Sequence, residues 1–281
     1  MANHHDDLDD AVLCAGSLYA YLQRYSPDLA LLRHPDYSTM NQTPSLLSTQ
    51  QQIMHGTTIL ALRYNDGVVI GSDTQVTAGN TITGYMNKVL DISSHCAIAI
   101  SGTVGVAQEL SDRLRIEVTF YERINHAKLS PQGTANTLGR MIKANFAAIQ
   151  HGLVCIPILA TYDFRSHQGK VFSYDLIGTL FDTDYQTGGS GGQRALSIIE
   201  EKWGPDLHKD DAVSLAVESL VHASRTDTAT TAVDEENNIY PIMKTIDREG
   251  IANVPDNVLK EIYKSIKKNS PRKRKIQTRG A

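Results

Sequence analysis

HGTTILALRYNDGVVIGSDTQVTAGNTITGYMNK, residues 55–88, contains two apolar runs that are separated by an Asn-Asp-Gly turn at residues 65–67. An Asp-Gly turn between β-branched, alternating runs predicts a β-hairpin. Such a hairpin returns the chain so that Asp73, after the second run, comes alongside Thr57, before the first. The stretch therefore predicts a hydroxyl and a carboxylate side by side, with the ammonium of Lys88 within reach.

The Gly-Thr junction at Gly56 and Thr57 has two interpretations. Threonine is common in strands, and an aspartate after a strand is often a turn residue, so neither residue alone indicates chemistry. A threonine hydroxyl is a weak nucleophile near neutral pH unless a base lies beside it, and the residue's own free α-amine can be that base. The catalytic interpretation therefore requires that everything before Thr57 is removed.

Residues 1–56 differ in character from the rest of the chain. Six aspartates stand against two arginines, which gives this segment a net charge of −4. A short helix is predicted from Asp10 to Gln23, and Ser-Pro, His-Pro and Thr-Pro steps follow in a polar tract with little periodicity. The pattern is typical of a loosely ordered leader, which is either a tail of no consequence or a removable propeptide.

Several patches of the chain resemble the bacterial proteasome β-subunit, a threonine peptidase of the N-terminal-nucleophile hydrolases. The resemblance runs from about Gly56 to about Tyr263, and its strength comes from independent motifs that follow one another in the right order. These motifs are Gly56-Thr57-Thr58, Gly71-Ser72-Asp73, Ser101-Gly102-Thr103, YQTGGSG at 185–191, and Asp227-Thr228-Ala229-Thr230. The order of strands and helices alone predicts only an α+β fold. The resemblance implies a four-layer αββα sandwich, the N-terminal-nucleophile hydrolase fold.

The resemblance also implies a role for particular residues. Thr57 is the expected nucleophile after autocatalytic cleavage between Gly56 and Thr57, and its α-amine is the base. Lys88 is the expected cation beside Thr57, and Asp73 is expected to keep it charged and in place. The remaining implied residues are Gly102 as oxyanion donor, then Ser190, Asp227 and Thr230 near the α-amine, and Val76, Thr77, Ile100 and Val104 as the substrate pocket.

Four departures from the family pattern accompany these motifs. The spacing between Asp73 and Lys88 is one residue shorter than usual, and Gln75 stands where a basic residue is common. Thr230 replaces a serine, which preserves the hydroxyl, and Thr231 replaces a glycine. The alternatives are the heat-shock-locus double-ring peptidase, which lacks a long propeptide, and a non-cleaving structural subunit of the same ring. Retention of the nucleophile and its lysine argues against the second alternative.

Beyond these motifs, hydrophobic periodicity predicts one helix that begins after Gly102 and continues to about Asn125. It predicts a second helix from Pro131 to about Gln150, and further helices later in the chain. The other predicted helices are 193–203, 210–224 and 255–268, and the predicted strands include 155–164, 171–176 and 238–246. Between Asp73 and the strand predicted around Lys88, an irregular connection is expected. The Gly-rich stretch at 185–192 is predicted to be a loop before a helix. It matches neither the P-loop nor the dinucleotide fingerprint, so nucleotide binding is rejected.

Composition narrows the class of protein. Hydrophobic residues make up 41% and charged residues 21% of 281 residues, values that are typical of a soluble globular protein. The chain lacks an 18-residue apolar run and a basic secretory signal, so neither a membrane span nor export is predicted. The three cysteines share no metal-ligand spacing, which favours a reducing cytoplasm and predicts no metal or cofactor.

The expected organisation is a propeptide at 1–56, a catalytic domain at 57–265 and a basic, disordered tail at 266–281. From Lys260 onward nine basic residues stand against one acid, Glu261. Nucleic-acid contact is conceivable there, but no aromatic residue follows Tyr263 to provide base stacking, so a solvated tail is favoured. The resemblance implies a heptameric ring of identical β-subunits, stacked with α-subunit rings, that receives polypeptide substrates from an ATPase unfoldase.

Overall fold

The structure, a computed structural model, describes residues 56–78, 81–150 and 152–269. Strands and helices alternate in blocks along this part of the chain. The strands are β1 (Thr58–Tyr64), β2 (Gly67–Ser72), β3 (Gln75–Ala78), β4 (Thr81–Tyr85), β5 (Val89–Ser93), β6 (Cys96–Gly102), β7 (Cys155–Asp163), β8 (Gln168–Tyr174), β9 (Leu180–Thr183), β10 (Tyr185–Gly189), β11 (Ile242–Asp247) and β12 (Gly250–Asn253). The helices are α1 (Val104–Asn125), α2 (Pro131–Ala144), α3 (Phe146–Gln150), α4 (Gly192–Lys202), α5 (Lys209–Ser224) and α6 (Asp256–Asn269).

Two five-stranded antiparallel sheets form the centre of the fold. The first has the strand order β10-β1-β2-β11-β12 and the second has the order β5-β6-β7-β8-β9, while β3 and β4 form a separate hairpin. The predicted hairpin of β1 and β2 is confirmed, with Ile59 opposite Ser72 and Tyr64 opposite Gly67. This register brings the start of β1 next to the end of β2.

Side chains along β1 point alternately to the two faces of its sheet, and this alternation explains how the layers stack. Ile59 and Ala61 point into a cluster that residues of both sheets share. Leu60 and Leu62 point to the opposite face, where they pack with α5. All four side chains are fully buried, and each leucine or isoleucine contributes about 1.5–3 kcal/mol to the free energy of unfolding.

The second sheet repeats the arrangement on its own outer face. Ile98 and Ile100 of β6 pack with Leu110 and Leu114 of α1 and with Leu138 of α2. Helices therefore cover each outer face, and the two sheets pack against each other in the middle. This confirms the α+β class and the four-layer αββα sandwich.

Three local expectations were wrong. The helix predicted from Pro131 to Gln150 is interrupted at Asn145, which ends α2 with φ −86° and ψ 9°. Asparagine competes for backbone hydrogen bonds outside the helical conformation and therefore favours such ends. Residues 75–85, expected to be an irregular connection, form the hairpin of β3 and β4.

The third difference concerns the Gly-rich stretch after Thr183. Tyr185–Gly189 is strand β10, which pairs with the free edge of β1. Its glycines give little strand propensity, but the edge of β1 offers backbone partners along five consecutive residues, from Thr58 to Leu62.

The two ends of the chain fall mostly beyond the described part. The predicted helix from Asp10 to Gln23 and residues 1–55 of the predicted propeptide lie outside it. At the other end, α6 continues to Asn269, past the predicted domain boundary at 265. Among the described residues, no helix has the length and apolar character needed to cross a membrane.

Candidate active site

Thr57 lies immediately before β1 at the mouth of a cleft and is 4% exposed. Its hydroxyl donates a hydrogen bond to the carbonyl oxygen of Gly56 at 2.6 Å. Its nitrogen, here a peptide amide, donates to the Ser190 hydroxyl at 3.3 Å. An amide nitrogen has no available lone pair for a proton, so this nitrogen becomes a base only when its bond to Gly56 is broken.

Asp73 and Lys88 form a buried ion pair, and Lys88 lines the cleft. The Lys88 ammonium lies 2.9 Å from Asp73 Oδ1, and the exposed fractions of the two side chains are 5% and 0%. The shorter spacing between these two residues therefore does not prevent their contact. The register of β1 and β2 produces part of this geometry, because the same Asp73 oxygen accepts the backbone N–H of Thr58 at 2.8 Å.

Burial shifts the titration of both partners. It raises the pKa of the Asp73 carboxyl and lowers the pKa of the Lys88 ammonium, since each charge has lost contact with water. The ion pair opposes both shifts, and the backbone N–H bonds that Asp73 accepts from Thr58 and Gln75 oppose the shift of Asp73. Lys88 also donates to the Gln75 carbonyl oxygen at 2.6 Å. The contacts of Lys88 with Asp73 favour its charged form and offset part of the effect of burial, and Lys88 lines the same cleft as Thr57.

Gly102 ends β6 and lines the same cleft as Thr57 and Lys88. Its φ of +115° is a backbone conformation that residues with a side chain rarely adopt. A Cβ at this position would also meet the carbonyl oxygen of Val154 at 2.1 Å. Glycine is thus required here for two separate reasons, and the backbone is held in a conformation set before any substrate arrives.

The four predicted pocket residues come from separate parts of the fold, yet all of them line the cleft. Val76 and Thr77 belong to β3, Ile100 to β6 and Val104 to α1. Sequence reasoning missed the other members of the lining, which are Gln75, Met86 and Ala107. Met86 follows β4, whose pairing with β3 the sequence did not predict.

Ser190, Asp227 and Thr230 form a hydrogen-bond network on the other side of Thr57. Asp227 Oδ2 accepts the Ser190 hydroxyl at 2.6 Å and the Thr230 hydroxyl at 2.8 Å. The Thr58 hydroxyl lies 2.7 Å from that of Thr230. Thr58 appeared in the sequence only as part of a motif, and no local signal shows that it would join this network.

The described part of the chain contains no cluster of three or more histidine, cysteine or acidic residues that could hold a metal ion. Cys96 and Cys155 are free, buried thiols, and burial raises the pKa of each to about 12. Neither lines the cleft.

Comparison with known proteins identifies the family of the chain and agrees with this fold. The family model described as "Proteasome subunit" matches residues 53–235. A proteasome subunit beta 2 of Thermomonospora curvata is 35% identical over 216 residues, which is 76% of this chain and 77% of that protein. A proteasome subunit beta of Acidimicrobium ferrooxidans is 35% identical over 84% of this chain and 87% of its own, and one of Jonesia denitrificans is 34% identical over 88% and 80%.

The four-layer sandwich with a threonine at the start of its first strand defines an N-terminal-nucleophile hydrolase fold. The chain belongs to the proteasome subunit family. Its relatives are β-subunits, and the activity that accompanies this membership is threonine-type peptide hydrolysis in the proteasome core. The comparisons favour this assignment over the heat-shock-locus peptidase.

Proposed function

We propose that Thr57 is the nucleophile of this peptidase, with its own α-amine as the base after cleavage from Gly56. The observation that supports the proposal most strongly is the convergence of Thr57, the buried Lys88 and the positive-φ Gly102 on one cleft. An α-amine has a reference pKa of about 7.7–8.0, so near neutral pH an appreciable minority of it is unprotonated and can accept a proton.

The reaction proceeds through a covalent intermediate on Thr57. The amine takes the hydroxyl proton as Thr57 Oγ1 bonds to the substrate carbonyl carbon, and the backbone N–H of Gly102 stabilises the resulting oxyanion. The C–N bond then breaks, and the departing amine receives the proton. Water hydrolyses the ester on Thr57 and restores both groups. The Lys88 ammonium favours ionisation of the hydroxyl and disfavours protonation of the α-amine.

Maturation by self-cleavage between Gly56 and Thr57 is the second part of the proposal. The Thr57 hydroxyl already contacts the carbonyl oxygen of the bond to be cut. A Cβ on Gly56 would lie 1.8 Å from the Ala229 methyl and 2.6 Å from the Ala229 carbonyl oxygen, so a larger residue would displace this bond. Residues 1–56 are then a propeptide that keeps the amine blocked until cleavage.

The test of this proposal is the intact mass of the chain, expressed with and without its α-subunit partner. The wild-type chain loses residues 1–56, whereas Thr57→Ala keeps them and hydrolyses no peptide. Cleavage of Thr57→Ala at Gly56 when it is expressed alone would overturn self-cleavage. Retention of the leader by the assembled wild-type chain would favour the non-cleaving structural subunit.

As a proteasome β-subunit, the chain assembles into the rings of the proteasome core. We propose a heptameric ring of identical subunits, stacked with α-subunit rings, in the cytoplasm, with an ATPase unfoldase that supplies polypeptides through the α-ring. Exposed apolar side chains such as Ile82, Ile124 and Ile177 support subunit contacts of this kind. Native mass spectrometry of the co-expressed complex measures the stoichiometry, and a ring of six would contradict the proposal.

A further inference from the structure

Gln75 lies between the two sets of polar side chains that flank Thr57 and contacts both of them. Its backbone N–H donates to Asp73 Oδ2 at 3.0 Å, and its carbonyl oxygen accepts the Lys88 ammonium at 2.6 Å. Its side chain reaches the opposite way, toward the segment Asp227–Thr231. Nε2 donates to the Thr228 carbonyl oxygen at 3.1 Å, and Oε1 accepts the Thr231 hydroxyl.

The orientation of this amide is determined by its partners. A carbonyl oxygen such as that of Thr228 only accepts hydrogen bonds, so the NH₂ group must face it. Oε1 then faces Thr231, whose hydroxyl can donate. Gln75 is 1% exposed, and an amide buried to this extent is costly unless both of its ends are paired. Thr231 therefore satisfies the acceptor that Gln75 would otherwise bury unpaired.

The segment held by Gln75 carries the groups that contact the N-terminal side of Thr57. Asp227 accepts the hydroxyls of Ser190 and Thr230, and Ser190 accepts the Thr57 N–H. The segment is short and partly exposed, with Thr228 at the surface and Asp227 half-buried. Its position relative to β3 thus depends on the contacts of the Gln75 side chain with Thr228 and Thr231.

We propose that Gln75 and Thr231 are a pair of positioning residues that hold the Asp227–Thr231 segment in register with the ion pair of Asp73 and Lys88. The pair sets the orientation of the Thr57 nitrogen relative to the Lys88 cation. The two residues contact each other through the Thr231 hydroxyl and Gln75 Oε1. The inference rests on the proposed roles of Thr57 and its amine.

The experiment uses the mature, assembled particle and changes only the side-chain contacts. Gln75→Met keeps the length of the side chain and both backbone bonds to the ion pair, while Thr231→Val removes one hydroxyl. Thr231→Ser keeps that hydroxyl. Thr161→Val is the matched control, because the Thr161 hydroxyl makes a comparable tertiary bond to the His95 carbonyl oxygen at 2.8 Å and does not line the cleft.

We expect Gln75→Met and Thr231→Val each to lower kcat about 5- to 10-fold, the scale of one lost hydrogen bond, with KM little changed. The double variant should be no slower than Gln75→Met, since the two residues share one contact. The acidic limb of kcat/KM should move to lower pH in both single variants, because a displaced Asp227 no longer favours the protonated amine. Thr231→Ser and Thr161→Val should keep the wild-type kcat and pH profile.

If Thr231→Val keeps the wild-type kcat and pH profile, the inference is wrong. It is also wrong if the losses of kcat in the two single variants multiply in the double variant. An equal loss in Thr161→Val would also overturn it, because the effect would then be general destabilisation. If Gln75→Met does not assemble, the kinetics of Thr231→Val alone test the inference, because Thr231 is only half-buried. Thr57→Ala separates the two proposals, since its continued activity would remove the proposed nucleophile, whereas normal Thr231→Val kinetics would remove only the positioning pair.

Discussion

The two sets of polar side chains that flank Thr57 differ in their access to water. On one side, Asp73 and Lys88 have exposed side-chain fractions of 0% and 5%. On the other side, Ser190 is exposed and Asp227 is half-buried. Water and salt screen the second set but hardly reach the first. The buried pair therefore has a strong electrostatic effect on Thr57, and the exposed network mainly orients its nitrogen.

A second buried lysine makes this comparison testable. Lys244 has an exposed side-chain fraction of 7% and pairs at 2.6 Å with Asp91, whose side chain is 53% exposed, whereas the Asp73 partner of Lys88 is fully buried. It lies on β11 and does not line the cleft. Replacement of either lysine removes a buried cation, but only one of the two cations is next to the proposed nucleophile.

The largest effect is expected for Lys88→Met. Loss of the cation beside Thr57 should lower kcat/KM by about 10²–10³, the usual scale of a preorganised electrostatic contribution. The measurement is the rate at which the mature particle hydrolyses a fluorogenic peptide. The intact mass of the chain is checked first, to show that the leader has been removed. Lys244→Met is the control and should lower the melting temperature while it leaves kcat/KM unchanged. Equal losses of kcat/KM in the two variants would show that activity depends on the burial of a cation and not on its position beside Thr57.

The next prediction concerns pH. The Lys88 cation is present below its pKa and is lost as the pH rises through it, and burial lowers that pKa. Activity should therefore fall on the alkaline side at a lower pH than that at which an exposed lysine titrates. Asp73→Asn removes the charge that opposes the shift, so the alkaline limb should move further toward neutral pH.

Asp91→Asn is the control for this pH profile, because Asp91 pairs with Lys244 outside the cleft. Its alkaline limb should coincide with that of the wild type. An unchanged limb in Asp73→Asn would show that another group controls the alkaline side of the profile.

A smaller effect is expected for Ser190→Ala on the exposed side. The Thr57 nitrogen loses one hydrogen-bond partner, which corresponds to about a tenfold decrease in kcat. Ser197→Ala removes an exposed hydroxyl that bonds only within α4, to the Arg194 carbonyl oxygen, and should have no effect. A loss in Ser190→Ala as large as that in Lys88→Met would contradict the distinction between the two sides.

The smallest expected effect concerns the substrate preference. Val76, Ile100 and Val104 give the cleft apolar walls, which favour burial of an apolar side chain by about 25 cal/mol per Å². A charged side chain would be desolvated there without a partner. We expect faster cleavage after Tyr or Leu than after Arg or Glu in fluorogenic peptides that differ only in that residue. The reverse order would indicate a charge contributed by a neighbouring subunit.

Sequence reasoning worked best where the information is local. The hairpin of β1 and β2 follows from alternation around an Asp-Gly turn, and it alone places Asp73 beside Thr58. Helices α1 and α5 follow from the spacing of their apolar residues within a few turns. The site motifs and their order were likewise evident from the residues and from the family resemblance, whereas removal of the leader stays a prediction. Whether each residue has its implied catalytic role stays a prediction.

Tertiary structure decided what depends on partners distant in the chain. The Gly-rich segment Tyr185–Gly189 becomes a strand because the edge of β1 supplies its hydrogen bonds, and that pairing brings Ser190 to the Thr57 nitrogen. The sequence marked Gln75 and Thr231 only as separate departures, 156 residues apart. Their contact exists because β3 and the segment after α5 meet at the cleft, where a buried amide requires a partner for each of its ends.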